Sequence, residues 1–165
     1  MVARKYLISG VIALVAIVAV VYLFPTETRR VKRQFTALAN AVSKTPDESN
    51  LSMVSKLNQI KLALAVTCRF SDPAHEVSGA YPREEIVQHA AGARAHFSKL
   101  SVKFADLHVT FPQAGAATVT TTATVTGATT EGDALNETHE LTCNLQKIEG
   151  GWLVTEVEVV EVLKK

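Results

Sequence analysis

Two cysteines, one tryptophan, five prolines and 6% aromatic residues are all that 165 residues supply, and the formal net charge is only +1. Two isolated cysteines make no Cys-x-x-Cys pair, which removes dithiol redox exchange and makes a structural zinc site improbable. A charge near zero and few aromatic rings remove the basic field and the stacking platforms on which nucleic-acid binding rests. The chain also lacks a glycine-rich phosphate loop, the order signals of a Ser/His/Asp triad, and a paired-carboxylate metal motif. No cofactor and no metal are therefore expected. The length allows one ordinary domain with an appendage.

Charge is missing altogether from Tyr6 to Phe24, a run of nineteen residues. As a helix it would measure roughly 28 Å, close to the hydrocarbon thickness of a bilayer. Arg4 and Lys5 precede it, Tyr6 and Tyr22 sit near its ends, and Pro25 stops it. Residues 1–25 are thus expected to be a transmembrane anchor and residues 26–165 a separate domain. A cleaved signal peptide is the rival, but it would end in a small-x-small site, and Val20-Val21-Tyr22-Leu23-Phe24-Pro25 is bulky there.

Charge is lopsided around this run. Residues 1–33 hold six bases against one acid, which leaves eleven of the 17 bases and fifteen of the 16 acids for the rest, about −4. Arg29, Arg30, Lys32 and Arg33 follow the run, where they can reach anionic headgroups or form a solvated helix face. Counting bases leans toward a cytoplasmic domain. The short basic start before an apolar run resembles an export signal, so the expected placement is single-pass in a bacterial inner membrane with the domain on the periplasmic side.

Beyond Thr26, Val31, Phe35, Leu38 and Val42 make a helical stripe ending near Lys44. Thr45-Pro46-Asp47-Glu48 has the form of a capping box, from which a second helix is predicted to start, with Met53, Leu57, Ile60 and Leu64 as its apolar positions. Val66, Cys68 and Phe70 then alternate as a short strand that Ser71-Asp72-Pro73 breaks, and His75 to Ala80 could add another. Pro82-Arg83-Glu84-Glu85 opens a third helix striped by Ile86, Ala90, Ala93, Phe97 and Leu100.

After Leu100 the period changes to two. Val102 and Phe104 have one parity, whereas Leu107, Val109 and Phe111 have the other, so a β-bulge is predicted near Ala105-Asp106 to keep one apolar face. Ala117 to Val125 puts alanine and valine on one face and Thr118, Thr120, Thr122, Thr124 and Thr126 on the other. Leu135 to Ile148 and Trp152 to Leu163 complete an antiparallel meander. Glu156, Glu158 and Glu161 are expected to keep the last strand soluble at a sheet edge. The whole reads as α+β, with helices on one face of a curved antiparallel sheet.

This order of elements, with Pro82-Arg83-Glu84-Glu85, the long bulged strand and Gly150-Gly151-Trp152-Leu153-Val154, resembles the nuclear transport factor 2-like family of the cystatin-like fold over residues 28–163. The similarity extends to bacterial proteins that place one such domain after an N-terminal anchor. It implies a cone whose open end can hold a small molecule, in a group that includes isomerases, dehydratases and protein-binding modules. Fold does not give function in such a group.

Cys68 and Cys143 share the apolar parity of their strands and are read either as a disulfide or as two buried thiols. His89 and His96, seven residues apart on the third helix, are too far apart to chelate one ion. His139 shares parity with Leu141 and Cys143, and Asp106 at the bulge could turn inward; with Tyr81 they are the candidate acid/base set. Trp152, Phe97 and Phe104 are the candidate cone lining. The expected role is a membrane-anchored, non-enzymatic binding or interaction module. Its partners would be lipid, a protein partner or a second copy at the Thr-rich sheet face, or a small apolar ligand, and not nucleic acid. The alternative is a small lyase or isomerase.

Overall fold

The structure, a computed structural model, describes residues 26–160. The predicted span Tyr6–Phe24 lies outside these residues, as do Glu161 and Leu163. Among the described residues no helix is long and apolar enough to cross a membrane. The chain divides into two units, 1–30 and 31–165.

In the first unit, residues 26–30 form an opening helical turn. The Thr26 hydroxyl accepts from the Arg29 amide at 3.4 Å, and Glu27 lies 3.6 Å from Arg30. That is the N-cap chemistry expected where four amides lack carbonyl partners. Helix α1 runs Glu27–Val42.

The second unit adds α2 (Asn50–Ala63), β1 (Leu64–Asp72), a short 3₁₀ turn, β2 (Val77–Pro82), α3 (Arg83–Ala95), β3 (Phe97–Gln113), β4 (Ala116–Thr129), β5 (Ala134–Ile148) and β6 (Gly151–Val160). The strands make one sheet in the order β2-β1-β6-β5-β4-β3. It is mixed, because β1 and β6 are parallel while every other pair is antiparallel. The last strand is therefore central, not an edge as the sequence suggested. Glu156 has a structural partner there, accepting from Asn144 Nδ2 at 2.9 Å on the helix-free face.

The predicted helical stripe of α1 is the buried one, with Val31 and Phe35 both 2% exposed or less. Phe35 meets Phe104 edge to face at 5.4 Å between centroids. Full burial of such side chains contributes about 1.5–3 kcal/mol each. Helix α2 starts later than the capping box predicts, since its N-cap is Ser49, which accepts from the Ser52 amide at 3.2 Å. Residues 45–48 instead make a turn, with the Glu48 amide donating to the Thr45 carbonyl at 3.2 Å. The physical reason is that the Glu48 side chain is drawn into a buried ion pair described below.

The stripe assigned to the third helix is split. Helix α3 ends at Ala95, so Phe97 and Leu100 belong to β3, and Arg94 rather than Ala93 is buried.

The bulge falls where parity demands it. The β3–β4 register skips between Ala105 and His108, and Asp106 takes φ 53°. The core-facing hydroxyl of Thr121 donates to the Ala105 carbonyl at 2.6 Å, satisfying backbone that the bulge frees. Val119 and Leu145, on the same face of β4 and β5, are at most 1% exposed. At Gly127, opposite Leu100, an added Cβ would lie 2.7 Å from the Lys99 carbonyl oxygen, so close pairing of the two backbones requires glycine there.

Candidate functional site: an apolar pocket beside β1, β2 and α3

The β1–β2 hairpin sets Cys68 opposite Tyr81 and Phe70 opposite Gly79. A Cβ at Gly79 would sit 2.9 Å from the Tyr81 ring, so the missing side chain lets the phenol lie across β2. Helix α3 presents Ile86 and His89 to the same space, and β6 adds Val157 across the parallel pairing with Phe70. Together with Leu64, Val77 and the side of Arg69 these residues enclose about 370 Å³. The volume lies within the range of small-molecule sites.

Its chemistry is almost wholly apolar. The Cys68 thiol, 3% exposed, donates to the Val154 carbonyl at 2.9 Å. Burial pushes its pKa up, against a smaller downward pull from a backbone hydrogen bond at Ala65, and the net rise favours the neutral thiol as a packing group. His89 stands at the exposed rim, with Nε2 3.6 Å from Glu85 one turn earlier. The polar side chains of the lining are thus a phenol, an imidazole and a guanidinium around an apolar chamber.

The residues singled out in the sequence are dispersed. The bulge that returns Leu107 to the core side places Asp106 on the opposite face, in an exposed hollow with Thr120, Thr122, Glu140 and Thr142. His139 pairs with Ala123 on the helix-facing side and lies 3.3 Å from Glu137 of its own strand. The two therefore do not form an acid/base pair; only Tyr81 of that set reaches the apolar pocket. Trp152, 6% exposed, packs 5.7 Å from Phe111 and lines a separate hollow between α1 and α2. Phe104 borders another beside α1, and half-buried Phe97 packs near Gly127. Arg29, Arg30, Lys32 and Arg33 are exposed on α1.

Cys68 and Cys143 are separate buried thiols, the second of the two readings that the sequence left open. Strand β6 lies between β1 and β5, so two inter-strand steps, about 9.5 Å, separate their backbones, beyond disulfide reach. Burial pushes the Cys143 thiol up to about 12. Among the described residues no cluster of three or more His, Cys, Asp or Glu side chains could hold a metal ion.

A buried charge cluster escaped the sequence reading. Arg94 and Glu48 pair at 3% side-chain exposure each, and Lys56 lies 2.7 Å from the other Glu48 oxygen. Burial acts to raise the Glu48 pKa, but hydrogen bonds and charge from Lys56 and Arg94 outweigh it and hold the carboxyl below its ordinary range. Arg94 also donates to the carbonyls of Ala41, Val42 and Ser43 at the end of α1. Lys44 reciprocates, donating to the carbonyls of Arg94 at 3.0 Å and Phe97 at 2.6 Å at the end of α3. Each helix C-terminus thus receives a cation from the neighbouring segment, the favourable sign for its dipole. The available signal was Arg94 itself, four residues after Ala90 on an apolar stripe.

No family model matches the chain, and no curated protein matches it. Solved structures do. A candidate scytalone dehydratase from Novosphingobium aromaticivorans is 14% identical with a TM-score of 0.68, covering 83% of this chain and 85% of that one. A candidate dehydratase from the NTF2-like family of Streptomyces avermitilis is 15% identical with a TM-score of 0.64, covering 86% of this chain and 100% of that one. The Kfla4162 protein from Kribbella flavida is 10% identical with a TM-score of 0.69 over 82% of this chain and 90% of that one. At such identities the likeness carries the fold alone. The fold is the nuclear transport factor 2-like one, α+β with three helices on a curved mixed sheet.

Proposed function

We propose that this chain is a binding module for a small apolar ligand, held at a bacterial inner membrane by the uncharged run Tyr6–Phe24 with its domain on the periplasmic side. The observation that carries the binding reading is the 370 Å³ pocket, whose lining is apolar but for the side chains at its margin. Desolvating a small apolar molecule there costs no buried charge. The Thr-rich face of β4, with Asp106 and Glu140 beside it, offers a second surface for a protein partner or a second copy. The test is binding of the fluorescent probe N-phenyl-1-naphthylamine to the full chain in nanodiscs, with empty discs subtracted. Ile86→Trp should fill the pocket and weaken binding at least tenfold while leaving the urea midpoint nearly unchanged. Undiminished binding by that variant would refute the assignment.

A second reading, a small lyase or isomerase, is favoured by Tyr81 and His89 bordering one apolar chamber and by the dehydratase names of two structural neighbours. It requires turnover of a β-hydroxy ketone that both Tyr81→Phe and His89→Gln abolish. The binding reading requires that Tyr81→Phe leave probe affinity within about twofold.

A further inference from the structure

Helix α2 is apolar on two sides. Ile60 and Ala63 are buried and Leu57 packs beside them, as an amphipathic helix requires. Leu51, Val54 and Leu62 project from the other side, within about 80° of arc at 100° per residue. They are 81%, 59% and 66% exposed, and Val66, just beyond the helix in β1, is 68% exposed. Leu51 and Val54 stand at the start of the helix and Leu62 with Val66 at its end, with exposed Ser55 and Asn58 between them on the same side. The four apolar side chains together offer about a few hundred Å², short of the roughly 800 Å² per partner that a stable protein interface buries. A shallow apolar stripe on a surface helix is instead the form that lies at the headgroup boundary of a bilayer.

We infer that the outer face of α2 is a membrane-contact surface, laid against an anionic lipid bilayer. The inference rests on the anchored reading above and adds to it an orientation of the domain. The Gln34 side-chain amide donates to the Ala63 carbonyl at 3.3 Å, and Lys56 Nζ donates to the Ser43 carbonyl at 2.8 Å. The two helices are therefore antiparallel, and the Leu62–Val66 end of the stripe lies beside the Lys32–Gln34 stretch of α1. In sequence, the uncharged run ends at Phe24, ten residues before Gln34. Lys32 and Arg33 are exposed on that stretch, and Lys61, beside Leu62, is 42% exposed and lies 3.4 Å from Glu84 at the start of α3. Bases alongside an apolar stripe complement anionic headgroups as well as acyl chains. A lipid surface therefore accounts for both the uncovered leucines and valines and the bases that border them.

The experiment uses the full chain in vesicles of phosphatidylcholine with phosphatidylglycerol, carrying one introduced cysteine at a time: Leu51→Cys, Leu62→Cys, or Thr122→Cys on the opposite face of the domain. The native thiols are each 3% exposed, so a nitroxide reagent marks the introduced site. Flotation with the vesicles reports the anchor; collision of the nitroxide with oxygen and with a water-soluble nickel chelate reports depth. The expected result is flotation of every variant, with positions 51 and 62 oxygen-accessible and nickel-shielded at about 5–10 Å below the headgroup boundary, and position 122 fully aqueous. A chain that floats while position 62 is as aqueous as position 122 overturns the inference and leaves the anchor standing. A chain that fails to float overturns both. Dipolar broadening between labels at position 62 of two chains overturns it in favour of a second copy.

Discussion

Arg94→Met keeps much of the side-chain length at a position 3% exposed while deleting its charge and all five of its donors. Four acceptors lose the guanidinium: the Glu48 carboxylate and the carbonyls of Ala41, Val42 and Ser43 at the end of α1, of which Ser43 keeps the Lys56 ammonium at 2.8 Å. Removing one member of a buried ion pair typically destabilises by about 3–5 kcal/mol, chiefly because the other charge remains desolvated. Lys56 still faces Glu48, which favours the lower end; the orphaned carbonyls push the other way. For a domain of this size the loss corresponds to roughly 10–15 °C in Tm. Urea unfolding followed by the single tryptophan, Trp152, which is 6% exposed, measures it directly. Combining Arg94→Met with Glu48→Leu should recover part of the loss but not all, since the Ala41 and Val42 carbonyls still lack the guanidinium. A single-variant loss below about 1 kcal/mol would show that the cluster does not hold the helices together and would refute the reasoning.

The same cluster sets a pH dependence. The Glu48 carboxyl is held below its ordinary 4.5, so its contribution is complete above that value and is lost as pH falls through the folded pKa; Glu48→Gln should remove this slope from acid-unfolding curves. Ellman's reagent should find almost no reactive thiol in the native chain near neutral pH and two after denaturation without reductant, because Cys68 and Cys143 are buried, raised in pKa and unbonded. Recovery of no thiol would place a disulfide there. Asp106, at φ 53°, should tolerate glycine to within about 1 kcal/mol, whereas Asp106→Val should lower stability by about 1–2 kcal/mol in thermal unfolding; an equal response of the two would mean the bulge is not strained.

Features that depend on neighbouring residues were legible in the chain. The α1 stripe through Val31 and Phe35 and the bulge at Ala105-Asp106 follow from periodicity and parity. The start of α2 was misplaced because the box at residues 45–48 is locally adequate, and only a charge from α3, forty-six residues away, removes Glu48 from it. The candidate site failed for a related reason. Parity assigns a face to each residue of a strand, but an inserted residue falls on the far side of the sheet from the neighbours it realigns, and Asp106 is that residue.

The sequence alone determined an uncharged nineteen-residue run, the order of helices and strands, and the faces that β4 and β5 turn to the core, because these are set by the 3.6- and 2-residue periods of the backbone. The tertiary structure decided that β6 inserts between β1 and β5, that this insertion keeps Cys68 from Cys143, that Arg94 and Lys44 cross to cap each other's helices, and that Tyr81, Ile86 and Val157 enclose one space. Each is a pairing between segments distant in the chain. Such pairings depend on which surfaces can bury one another and satisfy one another's hydrogen bonds, a condition on partners that no local pattern carries.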